Sequence, residues 1–286
     1  MVTVERPGAL SEADATAVRD LVAAATETDQ ASPLSEAARL RLGGTDAVHL
    51  LVRNGSGIVG YAQLDADGTA ELAVHPSARR HGIGRRLLVE AIRAGEPDAV
   101  RVWAHNEHPG ALALAASLGL RKTRSLWQMR MPLGDLPAAS VPDGVTVRTF
   151  VAGQDDDAWL KLNALAFSHH PEQGSWTAAD LAARLAEPWF DPAGFFLAES
   201  DGELLGFHWT KSHSAQLGEI YVLGVSPRAQ GIGLAKALSL VGLRYLRDTG
   251  HTEAMLYVEE DNAPAVGLYR RLGFTHTTTD AMFRSG

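Results

Sequence analysis

The sequence has 286 residues, of which 45% are apolar and 21% charged, and a net charge of −8. It is therefore long and apolar enough for two domains with proper cores, which excludes a disordered chain, and its acidic balance argues against a nucleic-acid partner. Cysteine is absent, no apolar run reaches the roughly 18–20 residues of a membrane span, and the N-terminus lacks the apolar core of a signal peptide. We therefore expect a cytoplasmic protein without disulfides, thiolate metal sites or membrane contact.

The first half of the chain predicts a mixed α/β unit that is followed by a linker. A strand ends at residues 72–74, a short glycine-containing turn follows, and an amphipathic helix comes next. Residues 132–144 contain three prolines and two glycines, a composition typical of a linker. We predict a first domain at residues 1–135, a linker at 136–145 and a second domain at 146–286.

The second half predicts a series of strands and helices. Residues 145–150 alternate like a strand, and 156–167 and 177–185 have helical spacing, with Thr177 as a candidate N-cap. Asp201-Gly202 predicts a hairpin between strands at 195–200 and 204–210. Further along, a strand at 218–225, a helix at 233–248, a strand at 254–258 and a helix at 264–272 are expected, the last beginning with Pro264 and ending at Gly273.

The two halves share an internal repeat. Residues 72–88 (LAVHPSARRHGIGRRLL) align with residues 223–239 (LGVSPRAQGIGLAKALS) at an offset of 151, which pairs Gly82 with Gly233 and Gly84 with Ala235. At an offset of 154, residues 118–120 (LGL) align with residues 272–274 (LGF). Two matched stretches in the same order predict two copies of one fold, and the change of offset from 151 to 154 places a three-residue insertion or deletion between the two stretches.

In each copy, a loop of small residues joins a strand to a helix. The first turn of a helix has backbone N–H groups without intrahelical partners and carries partial positive charge. Small residues allow a phosphate to approach those amides closely. Glycine-rich turns of this kind also occur for packing alone, but recurrence in both halves favours phosphate binding. The sequence has no P-loop and no G-x-G-x-x-G dinucleotide motif.

The pattern Val-x-Pro-x-x-[Arg/Gln]-x-x-Gly-x-[Gly/Ala], followed in the second half by Asn262-x-x-Ala265-x-x-Leu268-Tyr269-x-x-Leu272-Gly273-Phe274, resembles the GNAT acetyltransferase superfamily. The resemblance implies an α/β fold, with a mixed sheet of the α+β type, in two tandem GNAT-like domains. We also expect acetyl-CoA as the cosubstrate and no metal. In the family the loop holds the pyrophosphate and the preceding strand pairs with the pantetheine arm. On this chain, the resemblance implies a first acetyl-CoA site at Leu72, Ala73, Val74, Arg80, His81, Gly82, Ile83, Gly84 and Arg85. The resemblance implies a second acetyl-CoA site at Leu223, Gly224, Val225, Gln230, Gly231, Ile232, Gly233, Leu234, Ala235, Lys236, Asn262, Ala263, Pro264, Ala265, Val266 and Gly267.

The resemblance also implies which half is catalytic. In the family a carboxylate on the strand before the loop acts as the base, and a tyrosine of the C-terminal helix acts as the acid. The second half has Glu219 and Tyr269 at these positions, whereas the first half has Gly68 and Ala115. We expect Glu71, three residues after Gly68, to point elsewhere. The first half, whose loop is the more basic, is therefore predicted to bind acetyl-CoA without catalysing transfer.

A tandem enzyme of this length with a silent first half is similar to GNAT enzymes that acetylate the cysteinyl amine of a cysteinyl-glucosaminyl-inositol pseudodisaccharide. By this resemblance, the side chains that contact that substrate are Glu36, Glu172, Lys211, Glu219 and Tyr257. Two alternatives stay open: a tandem acetyltransferase for another amine, such as a protein N-terminus or an aminoglycoside, and a non-catalytic acyl-CoA-binding regulator. We expect a monomer.

Overall fold

The computed structural model describes residues 3–55, 57–170 and 173–286. They form two compact units. The first comprises the residues up to Trp127 together with Glu259–Asp261 and Thr278–Gly286, and the second comprises Gln128–Val258 and Asn262–Thr277. Among the helices of the described residues, none has the length and apolar character needed to cross a membrane.

The first unit is a mixed sheet with helices on both faces. Its helices are α1 (Glu12–Asp29), α2 (Glu36–Leu40), α3 (Ile83–Gly95) and α4 (Pro109–Ser117). Its strands are β1 (Ala47–Asn54), β2 (Gly57–Asp65), β3 (Thr69–Val74) and β4 (Arg101–Ala104), and β5 (Arg121–Pro132) begins in it. Strands β1, β2 and β3 pair antiparallel, whereas β3 and β4 pair in parallel.

Alternation along the strands of the first unit separates two cores. Leu50 and Val52 of β1 pack in the cluster that contains α3, whereas Leu51 packs in the cluster that contains α1 and α2. On β2, Ala62 and Tyr61 divide between the same two clusters. Because successive strand residues point to opposite faces, this alternation is what a sheet covered by helices on both sides requires.

The second unit repeats this arrangement. Its helices are α5 (Asp156–Ala166), α6 (Ala178–Leu185), α7 (Leu234–Asp248) and α8 (Ala263–Leu272). Its strands are β6 (Thr146–Thr149), β7 (Phe195–Ser200), β8 (Glu203–Ser212), β9 (Leu217–Val225) and β10 (Glu253–Glu259), and β11 (Thr275–Arg284) begins in it. Strands β6 to β9 pair antiparallel and β9 and β10 pair in parallel. The helices and strands predicted for this half are therefore present, with ends that differ by one or two residues.

Local sequence explains two of these elements. Asp201 and Gly202 both have positive φ, 50° and 79°, which is the geometry of a two-residue turn that matches strand twist. Thr177 accepts from the backbone of Asp180, and the Asp180 carboxylate accepts from the backbone of Thr177, so α6 begins with a complete capping box.

The compact units are not two continuous pieces of chain. The sequence division at residues 136–145 assigns everything after the linker to the second domain, whereas Thr278–Gly286 belongs to the first unit. The end of β11 pairs with β4, Ala281 opposite Ala104, and Ser285 exchanges hydrogen bonds with the backbone of Val100. Residues 133–145 contain no helix or strand, as expected of a connection.

Candidate active site

The two glycine loops have the same backbone conformation. In the first unit Arg80 and Gly82 have φ of 66° and 80° before α3 begins; in the second, Gly231 and Gly233 have φ of 82° and 87° before α7 begins. Open space surrounds Gly82, Gly231 and Gly233 where a Cβ would be. Glycine is therefore suited to these positions by its left-handed backbone conformation and not by a lack of space. That conformation leaves the first amides of each helix open to a ligand.

The strand before each loop separates from its parallel neighbour. The described β3–β4 ladder ends at Ala70 opposite Val102, although β3 continues to Val74. In the second unit the β9–β10 ladder ends at Ile220 opposite Leu256, although β9 continues to Val225. Residues 72–74 and 223–225 thus extend past the paired part, where strand backbone can bond to an extended ligand.

A cavity of about 730 Å³ lies beside the first loop. Eight of the nine residues predicted for the first acetyl-CoA site line it, His81 being the exception. Small residues of α4 also line it, among them Ala115, which aligns with Tyr269 of the other copy. Trp103 and His105 of the β4 segment also line the cavity.

The expected positive charge of the first loop is partly neutralised by carboxylates. Arg79 forms a bidentate ion pair with Asp29 at 2.7 and 2.8 Å and also donates to the Val74 carbonyl. Arg86 pairs with Glu90, and Arg85 donates to Ser117. Arg80, by contrast, makes no hydrogen bond or ion pair with any described residue. Among the described residues, two of the four arginines of this loop are thus paired with carboxylates, whereas Arg80 and Arg85 have no carboxylate partner.

Glu219 lies on β9 and is buried, with 5% of its surface exposed. Its Oε2 is 2.6 Å from Nε2 of His213, and Lys211 is its cross-strand partner on β8. The buried Lys211 ammonium lies 4.4 Å and 4.9 Å from the ring centroids of Trp189 and Tyr221. A buried carboxylate is thus placed among cationic and aromatic groups.

Tyr269 lies on α8 and is also buried. Burial raises the pKa of its phenol to about 12, so the phenol keeps its proton at neutral pH. Its ring meets Phe274 edge to face, but its hydroxyl makes no hydrogen bond to another described residue. The hydroxyl therefore retains its donor for a ligand.

Glu71 has a different environment from Glu219. Its carboxylate accepts from the backbone and hydroxyl of Ser35 and lies 3.2 Å from Nε2 of His105, whose Nδ1 is 2.9 Å from Asp280. Burial opposes ionisation here, but the bonds from His105 and Ser35 lower the pKa of Glu71. Despite burial, the two carboxylates raise the pKa of His105 to about 10. Glu71, His105 and Asp280 thus form an ion network within the first unit, in which the Glu71 carboxylate already has hydrogen-bond partners.

Comparison with known proteins identifies the family of this chain. A model of the acetyltransferase (GNAT) family matches residues 158–274, and one of an acetyltransferase (GNAT) domain matches residues 45–119. The chain is 51% identical over 283 residues to the mycothiol acetyltransferase of Thermomonospora curvata, covering 96% of this chain and 95% of that protein. It is 53% identical over 294 residues to the mycothiol acetyltransferase of Streptomyces avermitilis, covering 99% and 95%. The chain belongs to the mycothiol acetyltransferase family.

Solved structures show the tandem fold as well. A tandem GNAT protein from the clavulanic acid biosynthesis pathway aligns with a TM-score of 0.76 at 22% identity, covering 100% of this chain and 98% of that one. A GCN5-related N-acetyltransferase from Sphaerobacter thermophilus aligns with a TM-score of 0.69 at 27% identity, covering 99% and 95%. This member of the mycothiol acetyltransferase family is thus an acetyl-CoA-dependent N-acetyltransferase with two GNAT domains, which confirms the expected fold and reaction class.

The remaining predicted site residues lie on several elements. Asn262 is the N-cap of α8 and accepts from the Ala265 amide, so the predicted residues 262–267 form the first turns of that helix. Tyr257, on β10, is 42% exposed and its hydroxyl accepts from the Gln128 side chain. Glu36 is the first residue of α2, in the first unit. Glu172 lies outside the described residues.

The sequence interpretation included Lys211, the cross-strand partner of Glu219, but missed the imidazole that contacts the Glu219 carboxylate. His213 is six residues before Glu219, across the β8–β9 turn, so hairpin pairing was the signal that could have found it. Arg184 of α6 donates to the Tyr221 hydroxyl and lies 3.8 Å from the Trp176 ring centroid. The bond between Arg184 and Tyr221 joins residues 37 positions apart, and helical or strand periodicity does not encode it.

Proposed function

We propose that this chain transfers the acetyl group of acetyl-CoA to the cysteinyl amine of cysteinyl-glucosaminyl-inositol, giving mycothiol and CoA. The observation that carries the proposal is identity of about 50% to proteins named mycothiol acetyltransferase over nearly the whole chain. Glu219, Tyr269 and Lys211, the residues that the resemblance implies for catalysis and substrate binding, belong to the second unit.

In this proposal Glu219 is the base. An α-amino group has a pKa near 7.7–8.0, so much of the substrate is an ammonium at neutral pH and must lose a proton to attack the thioester. The Glu219 carboxylate takes that proton, directly or through one water. The side chains proposed to bind hydroxyl groups of the pseudodisaccharide are Lys211, Tyr257, Glu172 and Glu36. Of these, Glu36 is the first residue of α2 and belongs to the first unit.

Tyr269 acts on the leaving group. A thiol has an ordinary pKa near 8.5, well below the value of about 12 to which burial raises the pKa of Tyr269. Complete proton transfer from this phenol to the thiolate is therefore uphill. The phenol instead donates a hydrogen bond to the sulfur as negative charge develops there, which lowers the barrier in the way that an oxyanion hole does. As the tetrahedral adduct collapses, the C–S bond breaks, the nitrogen gives its remaining extra proton to water, and the CoA thiolate takes a proton from water.

We further propose that both loops bind acetyl-CoA and that only the second supports transfer. Support for the first site comes from the cavity beside residues 72–74 and 80–85 and from the available guanidinium of Arg80. Titration calorimetry is expected to detect two molecules of acetyl-CoA per chain. A stoichiometry of one would refute the first site while leaving the reaction unaffected. That the chain works as a monomer also stays a proposal, which sedimentation tests.

The experiment for the substrate is a panel of amines. The protein is incubated with acetyl-CoA and the pseudodisaccharide, a peptide with a free N-terminus, or an aminoglycoside. Products are followed by mass spectrometry, because the acceptor's own thiol would react with a thiol reagent for CoA. Hydroxylamine, which cleaves thioesters and spares amides, distinguishes S-acetylation from N-acetylation. Selective acetylation of the pseudodisaccharide amine is expected; selective turnover of another amine, or binding without turnover, would refute the proposal.

A further inference from the structure

The contact between His213 and Glu219 stands out among the polar contacts of the second unit. At 2.6 Å, it joins a buried carboxylate to an imidazole whose side chain is 34% exposed. His213 closes the β8–β9 turn through its backbone, donating from its amide to the Leu217 carbonyl. Its position is therefore fixed by strand pairing as well as by the side-chain contact.

Two neighbours flank Glu219 from the β8 side. Lys211 is the cross-strand partner of Glu219, and His213 follows two residues later, just beyond the end of β8, so both side chains lie on the same side of the sheet as the Glu219 carboxylate. The Lys211 ammonium lies against the rings of Trp189 and Tyr221, whereas the His213 ring meets one specific oxygen, Oε2. The imidazole is thus the neighbour that contacts a single, defined oxygen of the carboxylate.

We propose that His213 is a positioning residue for the catalytic base. By donating from Nε2 to Oε2, it holds the Glu219 carboxylate so that Oε1 meets the incoming amine or its bridging water. A carboxylate that rotates freely would spend part of its time out of line, and misplacement of a reacting group lowers the rate steeply. This inference rests on the proposed role of Glu219 in acetyl transfer.

The first test compares two substitutions of His213. His213→Gln keeps an N–H donor close to the position of Nε2, and we expect kcat within about threefold of the wild type. His213→Leu removes the donor, and we expect kcat to fall roughly 10- to 100-fold, with the KM for acetyl-CoA unchanged. If Gln lowers kcat as much as Leu does, or if Leu leaves kcat unchanged, the positioning role is wrong.

The matched control is His251→Leu. His251 lies at the same end of β8 and contacts Ser212, the residue next to His213, but it bonds to Ser212, Thr249 and the Leu246 carbonyl and not to Glu219. We expect its kcat to stay near that of the wild type. A loss equal to that of His213→Leu would attribute the effect to general loosening of the turn and would overturn the proposal.

The second test separates this inference from the proposed base itself. In a Glu219→Gln background, His213→Leu is expected to lower kcat no further, because a residue that acts through Glu219 has nothing left to position. A full additional loss in the double variant would refute the inference alone. Undiminished activity of the single Glu219→Gln variant would instead refute the role of Glu219.

Discussion

The ion network of the first unit makes a strong prediction about stability and pH. Asp280→Asn keeps the size of the side chain but removes the anion from the His105 imidazolium, which has only 15% of its side chain exposed. Removing one partner of a buried ion pair costs about 3–5 kcal/mol. Because Glu71 remains as a second partner and both groups retain some solvent contact, we expect a loss of about 2–3 kcal/mol in the free energy of unfolding at pH 6.

The pH dependence gives the prediction its sign. The folded state raises the pKa of His105 from its ordinary value of 6.5 to about 10. Its contribution to stability is therefore fully present below pH 6.5 and is lost as the pH rises through 10, at up to about 1.4 kcal/mol per pH unit. At pH 10.5 the imidazole is mostly neutral in both states, so the cost of Asp280→Asn should shrink to below about 1 kcal/mol.

The chain offers a selective probe for this measurement because it has no cysteine. A single Val102→Cys substitution places a thiol on β4, where the valine is 6% exposed. Labelling with a dipyridyl disulfide across a urea series then reports unfolding of the first unit alone. Asp98→Asn, at an exposed position of the same unit, is the control. An equal effect of Asp280→Asn at pH 6 and pH 10.5, or none at pH 6, would refute the role of the imidazolium.

Three further substitutions test local features. Gly242→Ala should destabilise the second unit by about 1–3 kcal/mol, seen as a lower Tm, because the new Cβ would lie 2.2 Å from the buried His208 ring; an unchanged Tm would contradict this packing. Thr177→Ala removes a capping box and should cost about 1 kcal/mol in urea unfolding, whereas Thr177→Ser should cost little. Arg80→Gly places a glycine at a left-handed φ of 66°, so we expect no loss of Tm. The substitution removes the Arg80 guanidinium, so calorimetry should show weaker acetyl-CoA binding at the first site. Unchanged affinity would exclude a phosphate contact.

Local signals predicted much of the fold. The paired glycine loops, the Asp201-Gly202 hairpin and the Thr177 cap all arise from residues that are close in sequence and have specific backbone preferences, and all are present. The assignment of Thr278–Gly286 to the first unit arises instead from strand pairing with β4, about 180 positions earlier. Periodicity reports which face of a strand is buried, but not which strand lies beside it.

The same distinction applies to the candidate sites. The family resemblance predicts Glu219 and Tyr269 as the catalytic pair, and the repeat supports this prediction because each has a counterpart that lacks the functional group. The neutralisation of Arg79 by Asp29, 50 positions away, could not be found in this way. Charge in a sequence indicates which groups are present, whereas its availability to a ligand depends on tertiary partners.

The most direct test of the central claim compares the carboxylates of the two units. With acetyl-CoA and the pseudodisaccharide, kcat is measured for Glu219→Gln and for Glu71→Gln under conditions where both are folded. The account predicts a loss of roughly 10²–10⁴ for Glu219→Gln and a kcat close to the wild-type value for Glu71→Gln. The reverse pattern would place catalysis in the first unit and contradict the account.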